Sequence, residues 1–498
     1  MCGSQWSAVT VHFDTVRLDH FDQREGIDVK ASHALPLSVD RSSTRPLPLQ
    51  IADALRTAIV DGLLVAGDRL PSTRSLAAEL SVSRGVADQA FDQLAAEGWI
   101  EGRAGSGTFV SPDLRSVTPT TAAVSDARPR AEADSAPPTL ALRPGIPWTP
   151  PSATAAWRRA WRIAGTEPAP PGYPDPAGPV HLRRSVCSLL GRARGMSVDP
   201  DRVVVTTGAT HGLTLALAAM RADRPEPRPV LAMEDPGYRT AASAAMAMGW
   251  DLYDVPVDAG GMRVDTLAST PETTRAVYVT PSHQYPTGGT LDVGRRAALI
   301  AHAQSTDTVV VEDDYDSEYR YDVAPLPALA HLDPDRVVYL GTIAKTLGAG
   351  VRLGWMVLPS HLVRPVLDHR LATGDFPSTP LCSAMTSLLD DGEWDRTVRA
   401  ARRRYRDRDA AVRDWLSPFG ELRGLGAGMH TTLVLSPGRA EAVARGAAHR
   451  GIEVPTVALS TRSHTDVGGL VIGYGRLTDT ELRTALTVLV DELRRRRH

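Results

Sequence analysis

Cysteine is scarce: Cys2, Cys187 and Cys382 are the only three in 498 residues, odd in number and widely spaced. That spacing builds neither a disulfide framework nor a zinc ligand set, and it predicts a reducing compartment. Long apolar runs are missing as well. No stretch approaches the ~20 apolar residues a membrane helix needs, and the opening "MCGSQWSAVTVHF" lacks the basic start and apolar core of a secretory signal. Charge of one sign is also lacking: the net charge of −3 names no partner. The expectation is a soluble, cytoplasmic protein with no membrane association. Its 42% hydrophobic and 23% charged residues are ordinary globular values, and its length predicts two to four domains.

Lysine is the most informative scarcity. Of 55 basic residues only Lys30 and Lys345 are lysines. A coding composition rich in arginine codons explains the bias, yet it leaves Lys345 conspicuous in the apolar, glycine-rich run "GTIAKTLGAGVRLGW". Arginine would serve any purely electrostatic role there. A desolvated lysine amine can lose its proton and attack a carbonyl carbon, which a guanidinium cannot do. A covalent role for Lys345 therefore competes with that of a chance surface lysine.

Composition separates four zones. Residues 1–40 show no sustained period and read as an arm. Residues 41–111 are periodic. Residues 112–140, "PDLRSVTPTTAAVSDARPRAEADSAPPTL", are linker-like, rich in Pro, Ala, Ser and Thr. From 141 to 498, β-branched runs alternate with helical patterns, which predicts an α/β fold with a mostly parallel sheet.

Within the second zone, "PLPLQIADALRTAIVDGLL" predicts a helix with Ile51, Leu55, Ile59 and Leu63 on one stripe. "STRSLAAEL" predicts a second helix capped by Ser72, and "RGVADQAFDQLAAEGW" a third, ending near Gly98. "WIEGRAGSGTFV" closes the zone as a hairpin. That order is a winged helix-turn-helix, whose third helix enters the major groove of DNA. Arg84 opens that helix and Arg74 the one before it; the wing offers Arg103, Ser106, Gly107 and Thr108. Charge by itself is neutral on the matter. Seven Arg against eight Asp or Glu between 41 and 110 leave DNA binding and protein interaction equally open.

In the fourth zone the chemically capable residues gather where apolar strands stop. "RVVVTTGATHG" runs into a helix near Ala209, whose first amides form a phosphate cradle. "PVLAMEDPGY" ends on Tyr238, "AVYVTPSHQYPTGG" on a turn, "TVVVEDDYDSEY" on an acidic run with Tyr315, and "RVVYLGTIAKT" on Thr342 and Lys345. Ligand sites of open parallel sheets lie beyond the carboxyl ends of the strands. An amine, a carboxylate, a phenol, an aromatic face and a phosphate cradle together suit pyridoxal 5′-phosphate.

Two resemblances sharpen this reading. "LPSTRSLAAELSVSRGVADQAFDQLAAEGWIEGRAGSGTFV" resembles the DNA-binding domain of GntR-type bacterial regulators. That resemblance implies operator binding through Arg74, Arg84, Arg103, Gly107 and Thr108; Gly85 and Asp88 depart from the polar or basic residues common in relatives. "YPDPAG", "TPSHQYPTGG", "VEDDYDSEYRY" and "GTIAKTLGAGVRLG" resemble fold-type I aminotransferases, and the two halves together resemble the MocR/GabR regulators. The resemblance implies pyridoxal phosphate held on Lys345 as a Schiff base, with Asp313 on the ring nitrogen and Tyr315 on the ring hydroxyl. It further implies Arg352, Thr342, Ala209 and Thr210 on the phosphate, and Tyr238 stacked on the ring. Tyr173 would reach the partner subunit's phosphate, in a head-to-tail homodimer. A smaller C-terminal α/β domain should follow the large one. Two departures stand out. Ala344 precedes the lysine where relatives carry serine, and "GGLVIGYGR" has Val471 and Ile472 where aminotransferases place a carboxylate-binding arginine, with Arg476 only beyond. The expected function is a transcriptional regulator whose effector is pyridoxal phosphate, an amino acid or an amine; the alternative is a working aminotransferase fused to a DNA-binding module.

Overall fold

A computed structural model describes residues 9–14, 32–112, 140–150, 153–224, 226–321, 326–424, 426–464 and 466–496. The chain divides into two compact units, Met1–Ala131 and Glu132–His498. Nearly all of the stretch read as a linker, 113–139, lies outside the described residues.

In the first unit the stretch read as an arm contains two strands, β1 (Val9–Asp14) and β2 (Ser32–Leu37), paired antiparallel. Three helices follow: α1 (Leu47–Val60), α2 (Thr73–Glu79) and α3 (Arg84–Ala96). Ile51, Leu55, Leu76, Ala90, Phe91 and Leu94 meet in one core. Ser72 caps α2 as expected, its hydroxyl accepting from Ser75 N at 3.1 Å. The first helix is shorter than its apolar stripe suggests. It stops at Val60, Gly62 turns with φ +73°, and Leu63 is left exposed while Leu64 enters the core. β3 (Ile100–Arg103) and β4 (Gly107–Val110) pair antiparallel as the wing.

The second unit opens with a short strand, β5 (Leu140–Ala141). Its large sheet comprises β6 (Val203–Thr206), β7 (Val230–Asp235), β8 (Asp251–Asp258), β9 (Gly261–Met262), β10 (Thr274–Val279), β11 (Val309–Asp314), β12 (Val337–Thr342) and β13 (Gly354–Val357). Their spatial order is β6-β13-β12-β11-β10-β7-β8-β9. All neighbours are parallel except at β13 and at the β9 edge. Because β13 runs against both β12 and β6, those two share a direction with β11, β10 and β7. Their carboxyl ends, at Thr206, Asp235, Val279, Asp314 and Thr342, therefore open on one edge.

Both faces of this sheet are covered, which explains why its strands are unbroken apolar runs. Val203, Val205, Val310, Val337, Tyr339 and Trp355 enter one core, while Val204, Val311, Val338, Leu340 and Met356 enter the other. A smaller C-terminal sheet joins β14 (Leu422–Arg423), β15 (His430–Val434) and β17 (Gly469–Gly473); β16 (Ile452–Glu453) instead pairs in parallel with β5. Among the described residues no helix is long and apolar enough to cross a membrane.

Candidate functional site

The helix Ala209–Asp223, beyond β6, begins at Gly208, whose φ of +127° suits glycine, and no side chain caps its first turn. The uncapped amides and dipole of that turn form a positive end. A Cβ on Gly208 would lie 3.9 Å from the Arg352 guanidinium and 4.0 Å from Thr342 Oγ1, so cation, hydroxyl and helix end converge there. Arg352 itself adopts a left-handed backbone, φ +55°. Thr342 Oγ1 accepts from Ala344 N at 3.1 Å, which leaves its own proton free to donate to an anion.

β-pleating sorts the acidic run at the end of β11. Glu312 accepts from Ala330 N, and Asp314 is bonded by Arg194 at 2.7 Å and Tyr339 at 2.6 Å, all buried. Asp313 points the other way. The Tyr278 hydroxyl donates to its Oδ2, while Oδ1 is buried with no partner. Burial pushes this carboxyl up to about 6, against the pull of Tyr278 and Lys345. Glu312 Oε1 and Asp314 Oδ1 are likewise buried without a partner, but of the three carboxylates only Asp313 lines the cavity that holds Lys345.

Lys345 follows β12. Burial depresses its amine below the ordinary lysine range, with Asp316 and Asp313 opposing the shift. Nζ donates to the Gly145 carbonyl at 2.7 Å. Tyr315 is half-buried, and its hydroxyl donates to the His283 carbonyl at 2.9 Å. Behind it, His283 Nδ1 lies 2.9 Å from Asp316, and the His430 ring packs on His283 at 4.6 Å. Tyr238 and Tyr285 meet edge to face, centroids 5.9 Å apart.

Gly208, Ala209, Thr210, Tyr238, Tyr285, Asp313, Tyr315, Thr342, Lys345 and Arg352 all line one cavity of about 320 Å³. Every cofactor residue expected within one subunit is thus brought together. Tyr173 is not: it is 88% exposed and stacks on Phe376, centroids 5.0 Å apart. Tyr278, Tyr285 and the Gly145 carbonyl belong to the site and were missed. Only the strand-end position of "AVYVTPSHQYPTGG" hinted at the first two. Among the described residues Arg352 is the only arginine lining this cavity; Val471 and Ile472 are buried on β17 and Arg476 is exposed beyond it. A larger cleft, about 450 Å³, opens at the amino ends of β11 and β12, but its arginines are neutralised: Arg336 and Arg224 pair with Asp307, and Arg275 with Glu226.

On the first unit, Arg74, Arg84, Arg103 and Gly107 are exposed and Thr108 is half-buried. Arg84 lies 3.6 Å from Asp88 with both side chains solvated, a pairing worth little. Arg103 covers the Phe109 ring at 4.6 Å and pairs with Glu101. Arg69, which the motif did not bring out, lies against the wing: a Cβ on Gly107 would be 3.1 Å from its Nε.

A winged helix-turn-helix on one unit and an aminotransferase-like cavity on the other define a two-part regulator. Residues 47–110 match the family "Bacterial regulatory proteins, gntR family", and residues 146–457 match "Aminotransferase class I and II". The chain is 35% identical over 459 residues to the HTH-type pyridoxine biosynthesis transcriptional regulator PdxR of Corynebacterium glutamicum, covering 92% of this chain and 98% of that one. It is 30% identical to the probable rhizopine catabolism regulatory protein MocR of Rhizobium meliloti, over 91% of this chain and 95% of that one. An archaeal alanine:glyoxylate aminotransferase shares the fold at TM-score 0.64 and 24% identity, over 72% of this chain and 91% of that one. The chain belongs to the MocR type of GntR-family transcriptional regulators. Regulators with the GntR helix-turn-helix bind operator DNA, and the aminotransferase class I and II fold family depends on pyridoxal phosphate.

Proposed function

We propose that this regulator senses pyridoxal phosphate, or its adduct with an amine, in the cavity beyond the large sheet, and changes its hold on operator DNA in response. The observation that carries this reading is the shared cavity of Lys345, the unpartnered Asp313 Oδ1 and the Arg352–Thr342–Ala209 cradle. When bound, the cofactor supplies an aldehyde that condenses with a primary amine and a ring nitrogen that can carry a proton. Lys345 offers the amine, Asp313 the counter-charge for the ring nitrogen, and the cradle holds the phosphate. Tyr238 and Tyr285 wall the cavity, and Tyr315 is within the same space for the ring hydroxyl. The exposure of Tyr173 suits a contact with a second subunit, as in a head-to-tail dimer. With Arg352 committed to phosphate, no second arginine among the described residues lines the cavity for an amino-acid carboxylate. This favours the cofactor itself or a simple amine as signal. A second reading, a working transaminase, draws on the same lysine and carboxylate; steady turnover of an amino donor with a keto acid would establish it.

Two measurements test the sites independently. Arg84→Ala is expected to weaken binding to the DNA upstream of the protein's own gene roughly ten- to a hundredfold, the worth of a lost base contact. The cofactor spectrum of that variant should be unchanged, and undiminished DNA binding would move the reading surface off α3.

The second measurement is uptake of pyridoxal phosphate against pH. Below about 6 Asp313 holds its proton and cannot balance a protonated ring nitrogen. The Lys345 amine, depressed by burial, becomes more nucleophilic as pH rises. Both effects act in one direction, so uptake followed by visible absorption should increase between about pH 5 and 8. Asp313→Asn should flatten the lower limb; a profile identical to the parent's would remove Asp313 from the site.

A further inference from the structure

Resting on the cofactor reading above, we propose that the Gly145 carbonyl latches Lys345, and that capture of the aldehyde releases a strap leading toward the DNA-binding unit. The strap is residues 140–150, where the described chain resumes after 113–139. It is fastened firmly to the C-terminal part of its unit. β5 pairs with β16, Leu142 N donates to Glu453 O at 2.8 Å, and Gly473 N donates to Leu142 O at 2.9 Å. Arg143 is bidentate with Glu453, Trp148 N donates to the Tyr405 hydroxyl at 2.7 Å, and Arg404 covers the Trp148 ring. Toward the loops of the large sheet, the Lys345–Gly145 contact is its only hydrogen bond among the described residues.

That contact is built for closeness. Gly145 has φ +76°, and a Cβ there would sit 2.9 Å from Nζ, so a side chain would be strained by its backbone and pressed against the amine. The chemistry of capture then breaks it. Nζ adds to the aldehyde carbon, and water departs with the carbonyl oxygen and two hydrogens from the nitrogen. No oxidant or reductant is needed. A neutral imine would leave Nζ no hydrogen to donate to the Gly145 carbonyl, and its double bond would end the free rotation of the nitrogen. One covalent event thereby removes the single polar tie between strap and lysine loop. The strap is left held by β16, β17 and the helix Glu393–Leu416, at the point where the chain leads to the DNA-binding unit.

Hydrogen–deuterium exchange of the full-length protein tests this, with peptides covering 140–150 followed with and without pyridoxal phosphate and visible absorption read on the same samples. Loading should speed exchange at Leu142 and Trp148 roughly tenfold, the equivalent of one lost hydrogen bond. Lys345→Ala should show the fast exchange without cofactor and no response to it. Gly145→Ala should match Lys345→Ala in its fast exchange without cofactor, since the added Cβ pushes the amine off the carbonyl. If absorption develops but exchange is unaltered, the latch is wrong and the cofactor reading stands. Slow, parent-like exchange in Lys345→Ala also overturns it. If no absorption develops, the cofactor reading and the latch fall together.

Discussion

Lys345→Ala is expected to abolish the visible absorption that pyridoxal phosphate produces with the parent protein, and with it any effect of the cofactor on DNA affinity. The change is all-or-none because no other described lysine exists to substitute: Lys30 lies outside the described residues and in the other unit's sequence. Lys345→Arg makes the sharper comparison. It preserves a cation beside Asp313 and Asp316, but a guanidinium neither deprotonates nor condenses with an aldehyde. If the site worked by charge alone, arginine would retain the colour and the response; if covalently, both variants lose them. Folding is not the obstacle. Burial already disfavours the charged amine, so removing it lifts a desolvation cost while ending its attraction for two carboxylates, and the two changes oppose. Melting temperature should shift by no more than a few degrees. DNA binding without cofactor should survive, since Arg74, Arg84 and the wing belong to the other unit. A purified Lys345→Ala protein with the parent's spectrum would end the covalent reading.

What could be read from the chain, and what could not, divides along physical lines. The parallel strands were legible because "RVVV", "TVVV" and "RVVY" have both faces buried, which leaves an unbroken β-branched signature. Their endings were legible for the same reason, and with them Lys345, Thr342 and the acidic run Glu312, Asp313 and Asp314. β13 was not: "GWMV" is four residues long, and only its insertion between β6 and β12 makes it a strand. Tyr278 as the partner of Asp313 depends on the register Tyr278↔Val311 between β10 and β11, a tertiary fact with no local trace. The Lys345–Gly145 contact spans 200 residues. In the first unit, the amphipathic stripe of α1 ran past its true end because Leu63 continues the period, whereas Gly62 decides where the helix stops. The choice among Glu312, Asp313 and Asp314 came from resemblance; pleating supplies the physical reason, since alternate residues face opposite sides.

Replacing Arg352 should separate stability from affinity. Its φ of +55° and ψ of 53° place a non-glycine residue in the left-handed region, a conformation costing on the order of 1–2 kcal/mol. The side chain is exposed, no carboxylate lies within ion-pairing distance among the described residues, and it faces the positive end of the helix Ala209–Asp223. Strain and like-sign repulsion are thus concentrated where only an anion relieves them. Arg352→Gly removes both, so the unliganded protein should gain roughly 0.5–1 kcal/mol after the added freedom of glycine in the unfolded chain is deducted. The same variant loses a forked donor to phosphate, and affinity for pyridoxal phosphate should fall roughly a hundredfold. Arg352→Ala loses the fork but keeps the backbone strain. It should therefore match the glycine variant in affinity and lack only the part of the gain in melting temperature that comes from the backbone, so the difference between the two isolates that contribution. Inorganic phosphate should raise the melting temperature of the parent and leave both variants unmoved. A glycine variant less stable than the parent, yet binding the cofactor equally well, would mean that Arg352 shapes the loop and does not hold the anion.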